Sequence, residues 1–229
     1  MALGISGSKD SRLPDISEWY TSERIEAEEI LWEGCEAYKE YSQRIFRICR
    51  ENGLSTVLEV GCGTGWVPTV LDPSLDYTGV DKNACMISKA KTKNPGKRFI
   101  QSDIRKLRES PVSLRSDLVC SFAMLKHFSL DEWPSILIEL LFFGKFGLFD
   151  QHVLLDGRSS IDVPGEDLKT GEKFHGIWPT RSEIVSAVEN AGHEILDFDD
   201  TFRFDNGVGA PEAMITTRRK ENHEAVPWQ

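Results

Sequence analysis

At 229 residues the chain exceeds a nominal domain of roughly 150 and falls short of two, so one domain with embellishments, or one with a small cap, is expected. Hydrophobic residues at 40% and charged residues at 28% sit near globular averages and exclude a disordered, collagenous or low-complexity chain. The 27 Lys and Arg against 37 Asp and Glu leave a net charge of −10 spread along the chain, so a phosphate-tracking surface is not favoured; Arg44, Arg47, Arg50 and the run Arg218-Arg219-Lys220 are its only candidates.

Residues 1 to about 14 and the tail 221–229 carry no periodic pattern and are expected to be mobile. From Ile16 to Asn52, Ile25, Ile30, Leu31, Tyr38, Tyr41, Ile45, Phe46 and Cys49 recur at mostly helical spacing, and Asn52-Gly53 supplies a stop. One or two helices follow, broken at Gly34, and residues 1–52 read as an N-terminal helical cap. Short apolar runs then alternate with helical stretches: TVLEV, YTGVD, RFIQSD, DLVCSF and FGLFDQHVLL. Such alternation indicates parallel strands joined by crossovers, hence an α/β fold with a doubly wound sheet over residues 53–220.

Thr180 with Glu183 and Ser129 with Glu132 fit capping boxes, and Ala191-Gly192 closes the last helix. Pro134 falls inside the helix that Ser129 would start, so that helix begins either at the serine or at the proline. His193 to Phe204 and Ala213 to Arg218 read as two strands whose short connection allows only an antiparallel hairpin at the sheet edge. The segment from about 156 to 179, rich in glycine and charge, is the largest irregular insertion and a candidate lid.

Five cysteines, at 35, 49, 62, 85 and 120, form no Cys-x-x-Cys pair, and an odd number cannot all be bridged within one chain, so a reduced, cytoplasmic setting is expected. The first residues lack the order of a signal peptide, and no window approaches the 18 or so apolar residues of a membrane helix.

The strongest chemical signal is Glu59-Val60-Gly61-Cys62-Gly63-Thr64-Gly65, leaving the first strand for a helix. Glycines there turn the backbone tightly and leave no Cβ between chain and ligand. The spacing is Gly-x-Gly-x-Gly, whereas a dinucleotide fingerprint needs its third small residue where Trp66 stands, which disfavours an NAD-linked oxidoreductase. Asp81 ends the second strand twenty residues after Gly61, where a carboxylate can accept both ribose hydroxyl protons. Asp103, at the same rim, can accept from an exocyclic amine while the Ile104 N–H donates. Either aspartate alone is as readily a helix cap.

VLEVGCGTGWVPTVL, GVDKNACMISKA, FIQSDI and DLVCSFAMLKHF, in that order, resemble the successive motifs of class I S-adenosylmethionine-dependent methyltransferases over roughly residues 54–155. The resemblance implies a seven-stranded sheet, mostly parallel, with an antiparallel C-terminal edge hairpin. It also implies S-adenosylmethionine as cofactor, with Glu59 and the turn Gly61-Cys62-Gly63 facing its methionine part, Asp81 its ribose, and Asp103 with Ile104 its adenine. Ser121 and Phe122 would border the sulfonium. Lys82 departs from the usual apolar residue, so its alkyl stem would pack on adenine.

Candidate bases are His127, just past the fourth strand, and Asp150 and His152, which alternate in the fifth and so share one face. A buried polar pair is the plain structural alternative for the latter two. His175 and Trp178 are placed to line an acceptor pocket from the lid, and of the N-terminal aromatics Trp19, Tyr20, Trp32, Tyr38 and Tyr41, the first two are the candidates to cap it. No metal is implied. The expected reaction is methyl transfer to a small-molecule oxygen or nitrogen acceptor, with an RNA or protein methyltransferase and a catalytically idle cofactor-binding module as rivals. No oligomeric state follows.

Overall fold

The computed structural model describes residues 21, 23, 25, 26, 29, 36–154, 161–166, 173–201 and 212–221. Glu36–Asn52 forms α1, because Tyr41, Ile45, Ile48 and Cys49 recur every three or four residues and bury one face. Gly53, at φ +65°, ends it, and the Leu54 N–H returns to the Cys49 carbonyl at 2.8 Å. Upstream, Glu23, Ile25, Glu26 and Glu29 are helical. The break expected at Gly34, the aromatics Trp19, Tyr20 and Trp32, and the tail at 222–229 lie outside the described residues.

Thr56–Val60 (β1), Asp76–Asp81 (β2), Arg98–Gln101 (β3), Ser116–Ser121 (β4) and Gly144–His152 (β5) pair in parallel. Between them run Val67–Val70 (α2), Ala84–Lys93 (α3) and Trp133–Phe142 (α4), with 3₁₀ turns at Ile104–Glu109 and Leu125–His127. Arg181–Asn190 (α5) then leads into His193–Asp199 (β8) and Glu212–Arg219 (β9), whose antiparallel pairing follows from the short connection between them. The sheet order is β3-β2-β1-β4-β5-β9-β8, with β9 also antiparallel to β5. The expected fold is therefore the observed one.

Alternation along the strands feeds two apolar layers. Leu58, Val60, Val119 and Phe149 pack on α4 and α5; Val57, Tyr77, Leu118 and Leu148 pack on α1 and α3. Each such side chain, fully buried, contributes about 1.5 to 3 kcal/mol. Strand order reverses between β1 and β4, so the crevice at their carboxyl ends is where an open α/β sheet takes a ligand.

The structure decides one boundary that the sequence left open, in favour of the proline, and corrects two others. Ser129 and Glu132 make their hydrogen-bonded turn, but α4 starts at Trp133 with Pro134 in its first turn, since proline lacks the N–H an interior position needs. The insertion expected to be irregular contains an antiparallel ribbon, Ile161–Glu166 (β6) with Lys173–Trp178 (β7). Asp103 stands two residues past β3 and caps the following 3₁₀ turn rather than ending the strand. Thr180 and Glu183 form the full capping box of α5. Among the described residues, no helix is long and apolar enough to cross a membrane.

Candidate active site

The glycine loop is tied down before it turns. The N–H groups of Gly61 and Cys62 both donate to the Val80 carbonyl, at 2.8 and 3.0 Å, which fixes the tip of β1 against the tip of β2. Gly61 at φ +78° and Gly63 at φ +52° then adopt backbone that L-residues rarely take. The Gly63 N–H donates to Asp81 Oδ2 at 3.0 Å, while Asp81 Oδ1 accepts from the Asn83 N–H at 2.8 Å. A methyl group built on Gly63 would meet no atom within 4 Å, so the loop's outer face is open beside the Asp81 carboxylate. Burial raises the Asp81 pKa, opposed by these two N–H donors.

The structure brings the other rim residues to the same end of the sheet. The Ser102 N–H donates to the Asp81 carbonyl at 2.9 Å, and Gln101 reaches the Lys82 carbonyl at 3.2 Å, so β3 ends beside β2. Asp103 accepts from the Arg105 N–H and pairs with its guanidinium at 3.1 Å, and Ile104 is buried in the core. Lys82 is half-buried. Two of the predicted residues turn inward instead. Glu59 accepts the Tyr77 hydroxyl beneath the loop, with its pKa pushed up to about 8 by burial, and Cys62 packs against Gly79.

On the β4 side, Ser121 is fully buried and its Oγ has no hydrogen-bond partner. Phe122 stacks on Tyr41 of α1 at 4.0 Å and 9°. Ala123 then takes φ +54°, a left-handed conformation costing a non-glycine residue about 1 to 2 kcal/mol. What holds it there is its N–H, which donates to Asp150 Oδ1 at 2.7 Å; Asp150 Oδ2 accepts the Tyr41 hydroxyl at 2.8 Å. Met124 covers Gly61, lying 2.8 Å from where a Cβ would stand, so the tips of β1 and β4 meet.

His152 lies 3.3 Å from Glu212 of β9 and 5.7 Å, ring to ring, from Trp178 of β7. Burial first, then Lys126, pushes the His152 pKa down to about 3, and the half-buried His127 is pushed to about 3 by burial, Lys126 and His152. Both imidazoles are neutral at pH 7. His175 pairs with Pro164 through the backbone ribbon; its side chain lies outside the described residues.

Sequence reasoning missed Glu212, the bond from Tyr41 to Asp150, and a clamp from the N-terminal segment. There Glu29 accepts from the Thr64 hydroxyl, from Trp66 Nε1 at 3.1 Å and from Lys93 Nζ at 2.9 Å, while Lys93 sits 3.5 Å over the Trp66 ring. Trp66 thus anchors a cover instead of leaving room for a pyrophosphate. A shallow groove lined by Pro73, Asp76, Lys97 and Arg98 opens at the amino ends of β2 and β3, away from all these residues.

Residues 57–142 match the family model of a methyltransferase domain. That stretch holds the glycine loop, Asp81, Asp103 and the β4 tip, so the part of the chain that carries the candidate site is the part that matches a methyltransferase domain. Solved structures share the fold at low identity. An S-adenosylmethionine-dependent methyltransferase from Clostridium acetobutylicum is 17% identical, with a TM-score of 0.62 over 80% of this chain and 92% of that one. A magnesium protoporphyrin IX methyltransferase from Synechocystis, with S-adenosylhomocysteine bound, is 12% identical, with a TM-score of 0.66 over 90% and 98%. An amino pentose methyltransferase from Micromonospora echinaspora is 17% identical, with a TM-score of 0.60 over 84% and 96%. No curated protein matches the sequence. The last two of these structural neighbours were solved with S-adenosylhomocysteine and S-adenosylmethionine bound, respectively.

Proposed function

We propose that this chain is a methyltransferase that moves a methyl group to a small-molecule oxygen or nitrogen acceptor held at the carboxyl rim of the sheet. The observation that carries this reading is the junction of the open Gly63 loop, the Asp81 carboxylate and the β4 tip at the one place where strand order reverses. Asp81 takes the ribose hydroxyls; Lys82, Asp103 and Ile104 take the adenine. The backbone of Gly61-Cys62-Gly63, with Glu59 supporting it from below, takes the methionine part, and Ser121 and Phe122 border the sulfonium.

Bound there, S-adenosylmethionine supplies an already activated methyl, so the protein's task is alignment and exclusion of water, worth up to about 7 to 11 kcal/mol. Tyr41 and Phe122, stacked on each other, wall the chamber, and capping it is the role assigned to Trp19 and Tyr20. His127, His152, Asp150, His175 and Trp178 make up the acceptor side. Neutral imidazoles orient an acceptor as hydrogen-bond partners, and a base is required only for an acceptor that arrives protonated. The acidic surface and the compact insertion favour a small acceptor over RNA. The amino pentose methyltransferase among the similar folds accords with that choice.

A coupled S-adenosylhomocysteine release assay over amines, phenols and carboxylates tests the proposal. Turnover with at least one small compound is expected. S-adenosylhomocysteine binding with no turnover on any of them, or turnover only on RNA or protein, contradicts it.

A further inference from the structure

Glu212 opens β9 directly opposite His152 of β5, on the sheet face that also carries Asp150 and Met214. His152 Nε2 stands 3.3 Å from Glu212 Oε1, and the two residues are only 6% and 3% exposed. The remaining polar atom of each, His152 Nδ1 and Glu212 Oε2, is buried with no hydrogen-bond partner. Buried polar groups are nearly always paired, because leaving one bare costs about 1 to 3 kcal/mol. Two bare atoms on one side-chain pair, beside the strained Ala123 turn and the orphaned Ser121 Oγ, mark a place where a ligand supplies the missing partners.

The chemistry of that ligand follows from what the chamber lacks. With the imidazole neutral and its Nε2–H donating to Glu212 Oε1, Nδ1 is a bare lone pair. Ionised, Glu212 offers a second acceptor. Asp150 and Glu212 place two carboxylates against the single Lys126 ammonium, and burial followed by the Asp150 charge pushes the Glu212 pKa up to about 8 despite that lysine. The chamber therefore wants donors and one more positive charge. A hydroxyl brings a single donor and no charge, whereas an ammonium brings several donors and the charge on one atom.

We propose that Glu212 and His152 hold the methyl acceptor, and that this acceptor is an aliphatic amine bound in its ammonium form. The proposal rests on the methyltransferase reading above and narrows its acceptor to nitrogen. The ammonium donates to Oε2 of Glu212 and Nδ1 of His152. One N–H bond then breaks, its proton passing to Glu212 Oε2 and its electron pair staying on nitrogen as the lone pair the nucleophile needs. Asp150 stays fixed by Tyr41 and Ala123 and sets the charge of the chamber without moving.

The test is calorimetric titration of the S-adenosylhomocysteine-saturated protein at pH 7 with matched pairs: cyclohexylamine and cyclohexanol, glucosamine and glucose, tyramine and 4-ethylphenol. For at least one pair the amine should bind about tenfold or more tighter than its neutral counterpart, the lower end expected of a hydrogen bond to a charged group. Titrations in phosphate and in Tris should show release of about one proton as Glu212 ionises. Glu212→Gln should lose both the preference and the proton release while binding S-adenosylhomocysteine within about twofold of the unaltered protein. Should that variant not fold, the amine preference and proton release of the unaltered protein decide alone. Equal binding within every pair, no proton release, no measurable binding of any amine, or a full preference in Glu212→Gln overturns the inference and leaves cofactor binding standing. Failure to bind S-adenosylhomocysteine at all overturns the methyltransferase reading with it.

Discussion

The two rims of the sheet are built on opposite rules. At the amino rim Asp117 accepts from the N–H groups of Ser55 and Thr56 and from the Thr56 hydroxyl, and pairs with Lys145 at 2.7 Å, joining the starts of β1, β4 and β5. Arg219 there donates to the carbonyls of Leu141, Phe142 and Gly144, which closes the end of α4. At the carboxyl rim Ser121, His152 and Glu212 keep buried polar atoms without partners, and Ala123 is held in left-handed backbone. Stability is concentrated at one end, and the other end gives some of it up for a site.

Substitutions at the two ends should therefore separate binding from folding. Asp81→Ala should weaken S-adenosylhomocysteine binding by about 1.5 to 3 kcal/mol, the worth of hydrogen bonds to a charged group, as read by calorimetry; unchanged affinity would remove Asp81 from the site. Asp117→Ala should lower the folding free energy by about 2 kcal/mol in urea titration, leaving S-adenosylhomocysteine affinity as it was. A shared loss of both in either variant would erase the distinction between the rims.

A smaller effect comes from pH. Glu59 and Glu212 are pushed up to about 8 from an ordinary 4.5, so the folded chain keeps protons the unfolded chain has released, and their contribution falls as pH rises toward 8. His127 and His152, pushed down to about 3, act in the opposite sense, but only below their ordinary 6.5, where unfolded histidines take up protons. Between pH 7.5 and 8, where unfolded histidines have already lost their protons, the acids act alone, and stability should decline by about 1 kcal/mol. Urea midpoints that hold steady or rise across that window would contradict the burial of these carboxyls. The smallest effect is Ala123→Gly, which should raise stability by about 0.5 kcal/mol, since glycine relieves the left-handed strain but adds entropy to the unfolded chain.

How legible each feature was depends on how local it is. Short apolar runs alternating with helical stretches announced β1 to β5, and the brevity of the last connection announced the antiparallel edge, because both follow from neighbouring residues. The Gly61–Gly63 turn and Asp81 were legible for the same reason: each sits where a strand run stops. The ribbon β6–β7 was not, since Pro164 and Gly165 inside Ile161–Glu166 read as loop; a two-stranded ribbon has outer edges on both sides, where proline's missing N–H costs no ladder bond. Glu212 and Tyr41 were hidden by distance. Tyr41 meets Asp150 across 109 residues, and Glu212 meets His152 across a β5–β9 register that no local pattern encodes. Ala123 gave no signal, because nothing about alanine announces positive φ.

Hydrogen–deuterium exchange with and without saturating S-adenosylhomocysteine tests most directly that the carboxyl rim alone grips the cofactor. Amides at Gly61–Gly65, Asp81–Asn83, Asp103–Ile104 and Ser121–Ala123 should slow, while those at Ser55, Thr56 and Asp117 keep their rates. Protection confined to the amino rim, or none at the carboxyl rim, would contradict the account.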